Sequence, residues 1–207
     1  MNGDNFIRAF ERLLQDEGEY ADNPEDDGGE TYRGVSRNNW PEWEGWPVID
    51  AIKGNGGGAR KHVNATAAQN SRLQDAVREF YRKNFWTPTA CLSKAPALRA
   101  KIFNFGVNAG LKRAFATLQR AINLCRADEG KAELATRVPL REDGLLGPAS
   151  RAALEEILRE RGEDVLIDAM CEEQMRFYES FFRKRPYWGR YPQRAAFERR
   201  AQWRGTA

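Results

Sequence analysis

The chain has 207 residues, of which 41% are hydrophobic and 30% charged, with a formal net charge of +3. This composition provides one core, or two small ones, and excludes a disordered chain. It also argues against a membrane span, since no uncharged apolar run approaches the roughly 18 residues that a spanning helix needs. A single histidine and three widely spaced cysteines argue against a His-rich metal site, a Ser-His-Asp hydrolase and a disulfide framework.

The charge is divided between two parts of opposite sign. Residues 1–50 carry 13 acidic and 4 basic side chains, a balance of −9, so the remainder carries +12. Much of this positive charge lies within residues 181–207, where basic residues alternate with Tyr, Trp and Phe. Such a segment can form a solvated helix face, attract an anionic bacterial cell wall or bind nucleic acid, and the pattern leaves all three open.

Apolar periodicity predicts a mainly α protein. In the first helix, Phe6, Phe10, Leu13 and Leu14 recur at helical spacing and form one apolar stripe. Further helices are expected within residues 65–85, 97–108, 111–127, 150–161 and 165–183, while strand signals are weak. A stretch rich in Pro, Asp and Gly predicts a loop or a small hairpin near residues 20–36.

Glu17 is the most informative position near the end of the first helix. It comes eleven residues after Phe6 and therefore returns to within roughly 20° of it, on the apolar stripe. Burial and the negative end of the helix dipole would both raise the pKa of a carboxyl group there. A glutamic acid that stays protonated near neutral pH can protonate the leaving oxygen of a glycoside. If the helix instead ends before Glu17, the side chain simply points into water.

The loop that follows supplies further candidates. Asp26 lies nine residues after Glu17, and Thr31 lies five residues after Asp26. A second carboxylate and a hydroxyl could hold and activate a water on the opposite face of a sugar, the inverting arrangement. Ordinary turn chemistry explains Asp26 equally well, and Glu25 and Glu30 are expected to be solvated.

Three segments follow one another in this region: EGEY at residues 17–20, DNPEDDGGETYRGVS at 22–36 and NWPEWEGWPVID at 39–50. In this order they resemble glycoside hydrolase family 108, which contains phage endolysins and secretion-associated muramidases. The resemblance implies a lysozyme-like helical fold with Glu17 as general acid. The order Glu, Asp, Thr also resembles that of phage-type lysozymes, where the gap from Asp to Thr is one residue longer, and this second resemblance implies Asp26 as base and Thr31 as the residue that orients the water. The sequence departs from the family at Glu19, which stands where the EGGY box has its second glycine.

The second half carries other motifs: FNFGVNAG at residues 103–110, TLQRAIN at 117–123 and DGLLGPASRAAL at 143–154. They resemble the small peptidoglycan-binding domain that commonly follows such a catalytic part. Asp143 is expected to bond nearby amides, and Pro148 suits the first turn of a helix. Asn108 is suited either to bonding an N-acetyl sugar or to capping the next helix. We therefore expect a lysozyme-like catalytic domain over residues 1–92, a helical peptidoglycan-binding-like domain packed against it over 93–180, and a basic aromatic segment over 181–207.

Aromatic residues near Glu17 are candidates for stacking on sugar rings. Tyr20 lies three residues after the acid and Tyr32 lies in the glycine-rich loop, and both places favour exposure to a cleft. Trp40, Trp43 and Trp46 could stack in the same way, although core packing is the commoner fate of tryptophan.

Together these features predict an N-acetylmuramidase that hydrolyses the β-1,4 bond between N-acetylmuramic acid and N-acetylglucosamine. Its partner would be peptidoglycan, with no metal or other cofactor. The charged start of the chain does not resemble a signal peptide. We therefore expect a phage or prophage lysin, or a secretion helper, made in the bacterial cytoplasm and reaching the wall through a holin-like pore or another export route. A non-catalytic peptidoglycan-binding protein and a basic nucleic-acid-binding protein are the alternatives.

Overall fold

A computed structural model of the chain describes residues 2–16, 19–22, 29–56, 58–127 and 138–184. This part of the chain is mainly α-helical with one small hairpin, which confirms the predicted fold class. No helix in it is long and apolar enough to cross a membrane. The helices are α1 (Asn2–Asp16), α2 (Trp46–Gly56), α3 (Arg60–Gln69), α4 (Ser71–Tyr81), α5 (Pro96–Ala109), α6 (Leu111–Ala127), α7 (Pro148–Arg161) and α8 (Glu163–Lys184).

The chain divides into two compact units. Phe6–Thr87 forms the first unit, and Pro88–Ala207 together with Met1–Asn5 forms the second unit. A π-helical turn, Arg82–Trp86, and a 3₁₀ helix, Thr87–Leu92, lead from α4 towards α5. Of the basic segment predicted over residues 181–207, the structure describes only the helical backbone of residues 181–184.

The apolar stripe of α1 is buried in the first unit, as its spacing predicts. Phe6, Phe10 and Leu13 are buried, and Leu14 is half-buried. The ring of Phe6 lies 5.6 Å from that of Trp86, and the ring of Phe10 lies 5.7 Å from that of Tyr81. These aromatic contacts pack α1 against the end of α4 and the π-helical turn that follows it.

The helix expected over residues 65–85 is interrupted. Asn70 adopts an extended conformation between α3 and α4, and its side-chain oxygen accepts a hydrogen bond from the Leu73 amide at 3.0 Å. This is an N-cap interaction, which favours starting a new helix over continuing the old one. The residues predicted to form one helix therefore belong to two helices that meet at Asn70.

The hairpin consists of β1 (Thr31–Tyr32) and β2 (Val35–Ser36), which pair antiparallel. Its two-residue turn has positive φ at both positions, 44° at Arg33 and 80° at Gly34, the pattern of a type I′ turn. The Tyr81 hydroxyl donates a hydrogen bond to the Arg33 carbonyl at 2.7 Å, which ties the turn to α4. The predicted hairpin is therefore present and is held against the helices.

In the second unit, α5 packs against α6 and α8, and α7 packs against α6 and α8. A turn at Asp143 and Gly144 precedes α7, and Pro148 begins that helix as the sequence predicts. The buried Gln119 of α6 holds the turn, because its Oε1 accepts the Gly144 amide at 2.8 Å and its Nε2 donates to the Leu145 carbonyl at 3.0 Å. The Asp143 carboxylate accepts the Leu145 amide at 2.9 Å, which confirms its structural role and lowers its pKa.

Candidate active site

The two carboxylates predicted to act on substrate, Glu17 and Asp26, lie outside the described residues. The structure does describe the chain on both sides of them. The helix α1 ends at Asp16, and the chain is described again from Glu19 to Asp22 and from Gly29 onward. The structure therefore describes the segments that flank the predicted site, residues 19–22 and 29–36, and we call these segments the frame.

The frame is closed by a β-bridge between Ala21 and Thr31. The Ala21 amide donates to the Thr31 carbonyl at 2.9 Å, and the Thr31 amide donates to the Ala21 carbonyl at 2.7 Å. Paired in this way, two residues have Cα atoms about 5.5 Å apart. The bridge thus brings Thr31 beside the segment that follows Glu17, and Asp26 is midway in sequence between its two ends.

The side chain of Thr31 is half-buried and forms a hydrogen bond through its hydroxyl group. Its hydroxyl donates a hydrogen bond to the Gly29 carbonyl at 3.1 Å. A hydroxyl has one proton to donate and two lone pairs that accept. The Thr31 oxygen is therefore oriented as an acceptor for a further donor such as a water.

Glu30 forms the centre of a network of charges at the base of this frame. Its Oε1 accepts hydrogen bonds from the Tyr20 hydroxyl at 2.8 Å and from Lys53 Nζ at 2.9 Å, and its Oε2 lies 2.6 Å from Arg37 Nε. The side chain is only 12% exposed. The expectation that Glu30 is solvated is therefore wrong, and its neighbours in space, unlike those in sequence, supply two cations.

The cations are themselves anchored to α2. Arg37 makes a bidentate pair with Asp50, at 2.6 and 3.2 Å, and its guanidinium lies 4.4 Å from the ring centroid of Trp46. Lys53 is a residue of the same helix, and its hydrogen bond with Glu30 raises the pKa of the ammonium group to about 12. These contacts join the hairpin and the strand-like segment at Tyr20 to α2, so the frame is rigid at its base.

Tyr20 and Tyr32 are buried, at 1% and 2% exposure, so the predicted exposure of their rings to a cleft is wrong. Burial, with the bond to Glu30, raises the pKa of the Tyr20 hydroxyl to about 12. The Tyr32 ring stacks near that of Trp43, and its hydroxyl accepts a hydrogen bond from Gln74 Nε2 at 3.0 Å. Both rings fill the core under the hairpin, where a stacked sugar has no access.

Two further positions from the sequence are described. Glu19, which departs from the family box, is exposed. Its φ is not positive, because Arg33 is the only non-glycine residue with a positive φ in the described chain. The backbone at residue 19 therefore does not need a glycine. Asn108 lies in the last turn of α5 in the second unit and donates to the Asn104 carbonyl at 3.0 Å, so its contact with a sugar stays a prediction.

A groove that sequence reasoning did not identify lies elsewhere on the first unit. It has a volume of about 660 Å³ and is bordered by residues 39–44, which follow the hairpin, and by the end of α4 with the π-helical turn. Trp40, which is 39% exposed, lines it, while Trp43 and Trp46 are buried. Of the three tryptophans for which the sequence left both stacking and core packing open, Trp40 is therefore the exposed one.

No cluster of three or more His, Cys, Asp or Glu side chains that could hold a metal lies in the part of the chain that the structure describes. The described carboxylates in and beside the frame include Asp22, Glu30 and Asp50, each of which contacts Tyr20, Lys53 or Arg37. The frame can therefore support the placing of a catalytic segment, with the hydroxyl of Thr31 as one of the polar groups beside it.

Replacing Glu30 with alanine should destabilise the first unit. The change removes a largely buried acceptor and leaves the Tyr20 hydroxyl and two cations without it, for which we expect a loss of about 2–3 kcal/mol. Urea unfolding measures the effect, with Glu11→Ala, an exposed glutamate on α1, as the control. Equal midpoints for the two variants would contradict a structural role for the network.

Comparison with known proteins gives the family. The model of glycosyl hydrolase 108 matches residues 10–110, and a model described as a predicted peptidoglycan domain matches residues 113–204. Among solved structures, SagA of Brucella abortus is similar, with 19% identity and a TM-score of 0.59 over 100% of this chain and 97% of that chain. At this identity the likeness supports the fold. No curated protein matches the chain.

The fold and the frame thus belong to a glycoside hydrolase followed by a cell-wall domain. The chain is a member of the glycosyl hydrolase 108 family and carries a peptidoglycan-binding-like domain in its second half. Membership implies a glycosidase that acts on peptidoglycan, and the second domain makes peptidoglycan its partner.

Proposed function

We propose that the protein is an N-acetylmuramidase, cleaving the β-1,4 bond between N-acetylmuramic acid and N-acetylglucosamine in peptidoglycan. The observation that carries the proposal is the bridge between Ala21 and Thr31, within the segment that the family model matches. Glu17 is four residues before this bridge, and four residues of chain span at most about 14 Å. This bound on the distance from Ala21 supports the proposal that Glu17 and Thr31 act at one site.

In the proposed reaction, Glu17 protonates the glycosidic oxygen as the bond to the leaving sugar breaks. Asp26 accepts a proton from a water on the opposite face of the ring, and that water attacks the anomeric carbon. For such an inverting reaction the two carboxyl groups must stand roughly 6.5–9.5 Å apart, to leave room for the water. Thr31 orients the water, because its hydroxyl oxygen accepts a hydrogen bond from the second hydrogen of that water. The hydroxyl proton of Thr31 is donated to the Gly29 carbonyl, which leaves the oxygen to act as an acceptor.

The Glu30 network supports this reaction indirectly. A catalytic group contributes fully only when its position is fixed in advance, since a displacement of about 1 Å can cost a hundredfold in rate. Both ends of the segment that carries Asp26 are fixed, one by the bridge at Ala21 and the other by the bonds of Glu30 to α2. Glu30 is therefore a positioning residue in the proposed mechanism, since its contacts are with Tyr20, Lys53 and Arg37.

The test is the identity of the sugar at the new chain ends. Purified peptidoglycan is digested with the full chain, and the products are reduced with borohydride and separated. We expect N-acetylmuramitol as the reduced sugar, and we expect a chelator added to the digestion to leave the yield unchanged. N-acetylglucosaminitol would make the protein a glucosaminidase, and the absence of any new reducing end would support a peptidoglycan-binding protein without turnover.

A further inference from the structure

The groove beside Trp40 combines an exposed indole with polar side chains that can form hydrogen bonds. Single exposed apolar residues are common on protein surfaces and need no explanation. Here the exposed ring lines a depression of about 660 Å³, within the range of roughly 300–1,000 Å³ typical of small-ligand sites. The groove belongs entirely to the first unit, so it is formed within the glycosyl hydrolase domain.

The ring of Trp40 is held in place without being covered. The Trp40 amide donates to the Ser36 carbonyl at 2.9 Å, and the Trp40 carbonyl accepts the Trp46 indole N–H at 2.8 Å. Its ring meets that of Phe80 at 88° with centroids 5.0 Å apart. The backbone of Trp40 is thus fixed by two hydrogen bonds and its ring packs on Phe80, so the side chain loses less freedom when a ligand stacks on it, which favours binding.

Two amides stand at the groove beside the ring. Asn39 is exposed, and Asn84 is half-buried, with its Nδ2 donating to the Phe80 carbonyl at 2.9 Å. That bond uses one N–H of the Asn84 side chain and leaves its carbonyl oxygen as an acceptor for a ligand. Side-chain amides both donate and accept, which matches the hydroxyl and acetamido groups of an amino sugar.

The charges at the rim select against an anion. Glu42 and Glu44 are exposed there, Glu79 lies 3.8 Å from Arg82, and Lys83 is the one lysine among the lining residues. With more carboxylates than ammonium groups, the rim repels the acidic peptides that branch from peptidoglycan. A neutral ligand with an apolar face and polar edges meets no such penalty.

We propose that this groove binds an N-acetylhexosamine unit of the glycan strand, with one sugar face stacked on Trp40 and its acetamido group bonded by Asn39 and Asn84. The inference rests on the proposed function in taking the glycan as substrate, and adds a sugar-binding site distinct from the residues of the catalytic segment. Its role is to hold the strand while the catalytic segment acts.

The test follows the indole N–H signal of Trp40 by NMR in the full-length Glu17→Gln variant, which avoids hydrolysis of the ligand. The signal is assigned by its loss in a second variant that also carries Trp40→Phe. The probes are the β-1,4-linked tetramer of N-acetylglucosamine, an acidic stem peptide and a lysine peptide. We expect a saturable shift of the Trp40 signal with the tetramer alone. In the Trp40→Ala and Trp40→Phe variants, binding is followed instead by the side-chain amide signals of Asn39 and Asn84, and we expect it to be at least tenfold weaker with Trp40→Ala than with Trp40→Phe.

An unmoved Trp40 signal at millimolar tetramer would overturn the proposal, as would a shift produced by either peptide. Equal weakening by Ala and Phe would show that the aromatic face is not used and would also overturn it. The melting temperature of each variant checks that the fold is intact. A protein that binds the tetramer here but releases no muramic acid ends would retain this site and lose the proposed reaction, so the two failures are distinguishable.

Discussion

Replacing Glu17 with glutamine should reduce the rate of peptidoglycan hydrolysis by at least about a hundredfold. General acid catalysis contributes roughly 10²–10⁴ to the rate, and glutamine has no proton to deliver to the leaving oxygen. Glutamine keeps the size of the side chain, so folding and wall binding should persist. The measurement is the initial rate of turbidity loss with a purified peptidoglycan suspension, together with the count of new reducing ends.

Glu19 provides the matched control for this experiment. It is two residues away, exposed, and free of the backbone requirement that a glycine would meet. Glu19→Gln removes the same charge from the same segment and should leave the rate within about twofold of the native rate. If both variants lose activity equally, the charge of the segment matters rather than a proton from Glu17, and full activity in Glu17→Gln would remove Glu17 from the mechanism.

Replacing Gly144 with alanine should destabilise the second unit by about 3 kcal/mol. Gly144 has φ of +75°, where a Cβ atom costs about 1–2 kcal/mol, and the added atom would lie 2.2 Å from the Lys112 carbonyl oxygen. Relief of that overlap must move backbone, which adds a cost similar to overpacking of a core. The movement would also draw the Gly144 amide away from Gln119.

Gly147→Ala is the control, since Gly147 has φ of −72° and a Cβ atom there meets nothing within 4 Å. We expect its unfolding free energy to stay within about 1 kcal/mol of the native value. Chemical unfolding followed by circular dichroism compares the two variants. A similar loss in both would contradict the cause assigned here, because only Gly144 has a positive φ and a neighbour that a Cβ atom would overlap.

The fold class and the buried face of α1 follow from the sequence because they depend on local periodicity. Phe6, Phe10 and Leu13 recur at the helical period, and a helix with one apolar face buries that face. The Asp143 turn is equally local, since a carboxylate two residues before an amide needs no distant partner. The hairpin is predicted from the stretch rich in Pro, Asp and Gly near residues 20–36, and Gly34 suits its turn because glycine takes a positive φ without cost.

The surroundings of the predicted site could not be read in the same way. Glu30 is expected to be solvated because its sequence neighbours are Gly, Thr and acids, whereas its cations come from positions 37 and 53. The burial of Tyr20 and the exposure of Trp40 could not be predicted for a similar reason. A half-polar aromatic residue fits a core or a surface equally well, and only the packing of helices from distant parts of the chain decides which ring is covered.

Helix α5 carries a consequence for how this protein can vary. Every residue from Ala97 to Gly106 is buried, including Arg99, whose Nε donates to Thr89 Oγ1 at 3.0 Å, and Lys101, whose Nζ donates to Gln174 Oε1 at 2.7 Å. Because no side chain in this stretch faces solvent, any change in the size or polarity of one of them must be accommodated by the protein around it. Substitutions along α5 must therefore be compensated on the elements around it, so that this short stretch constrains the evolution of residues far from it in sequence.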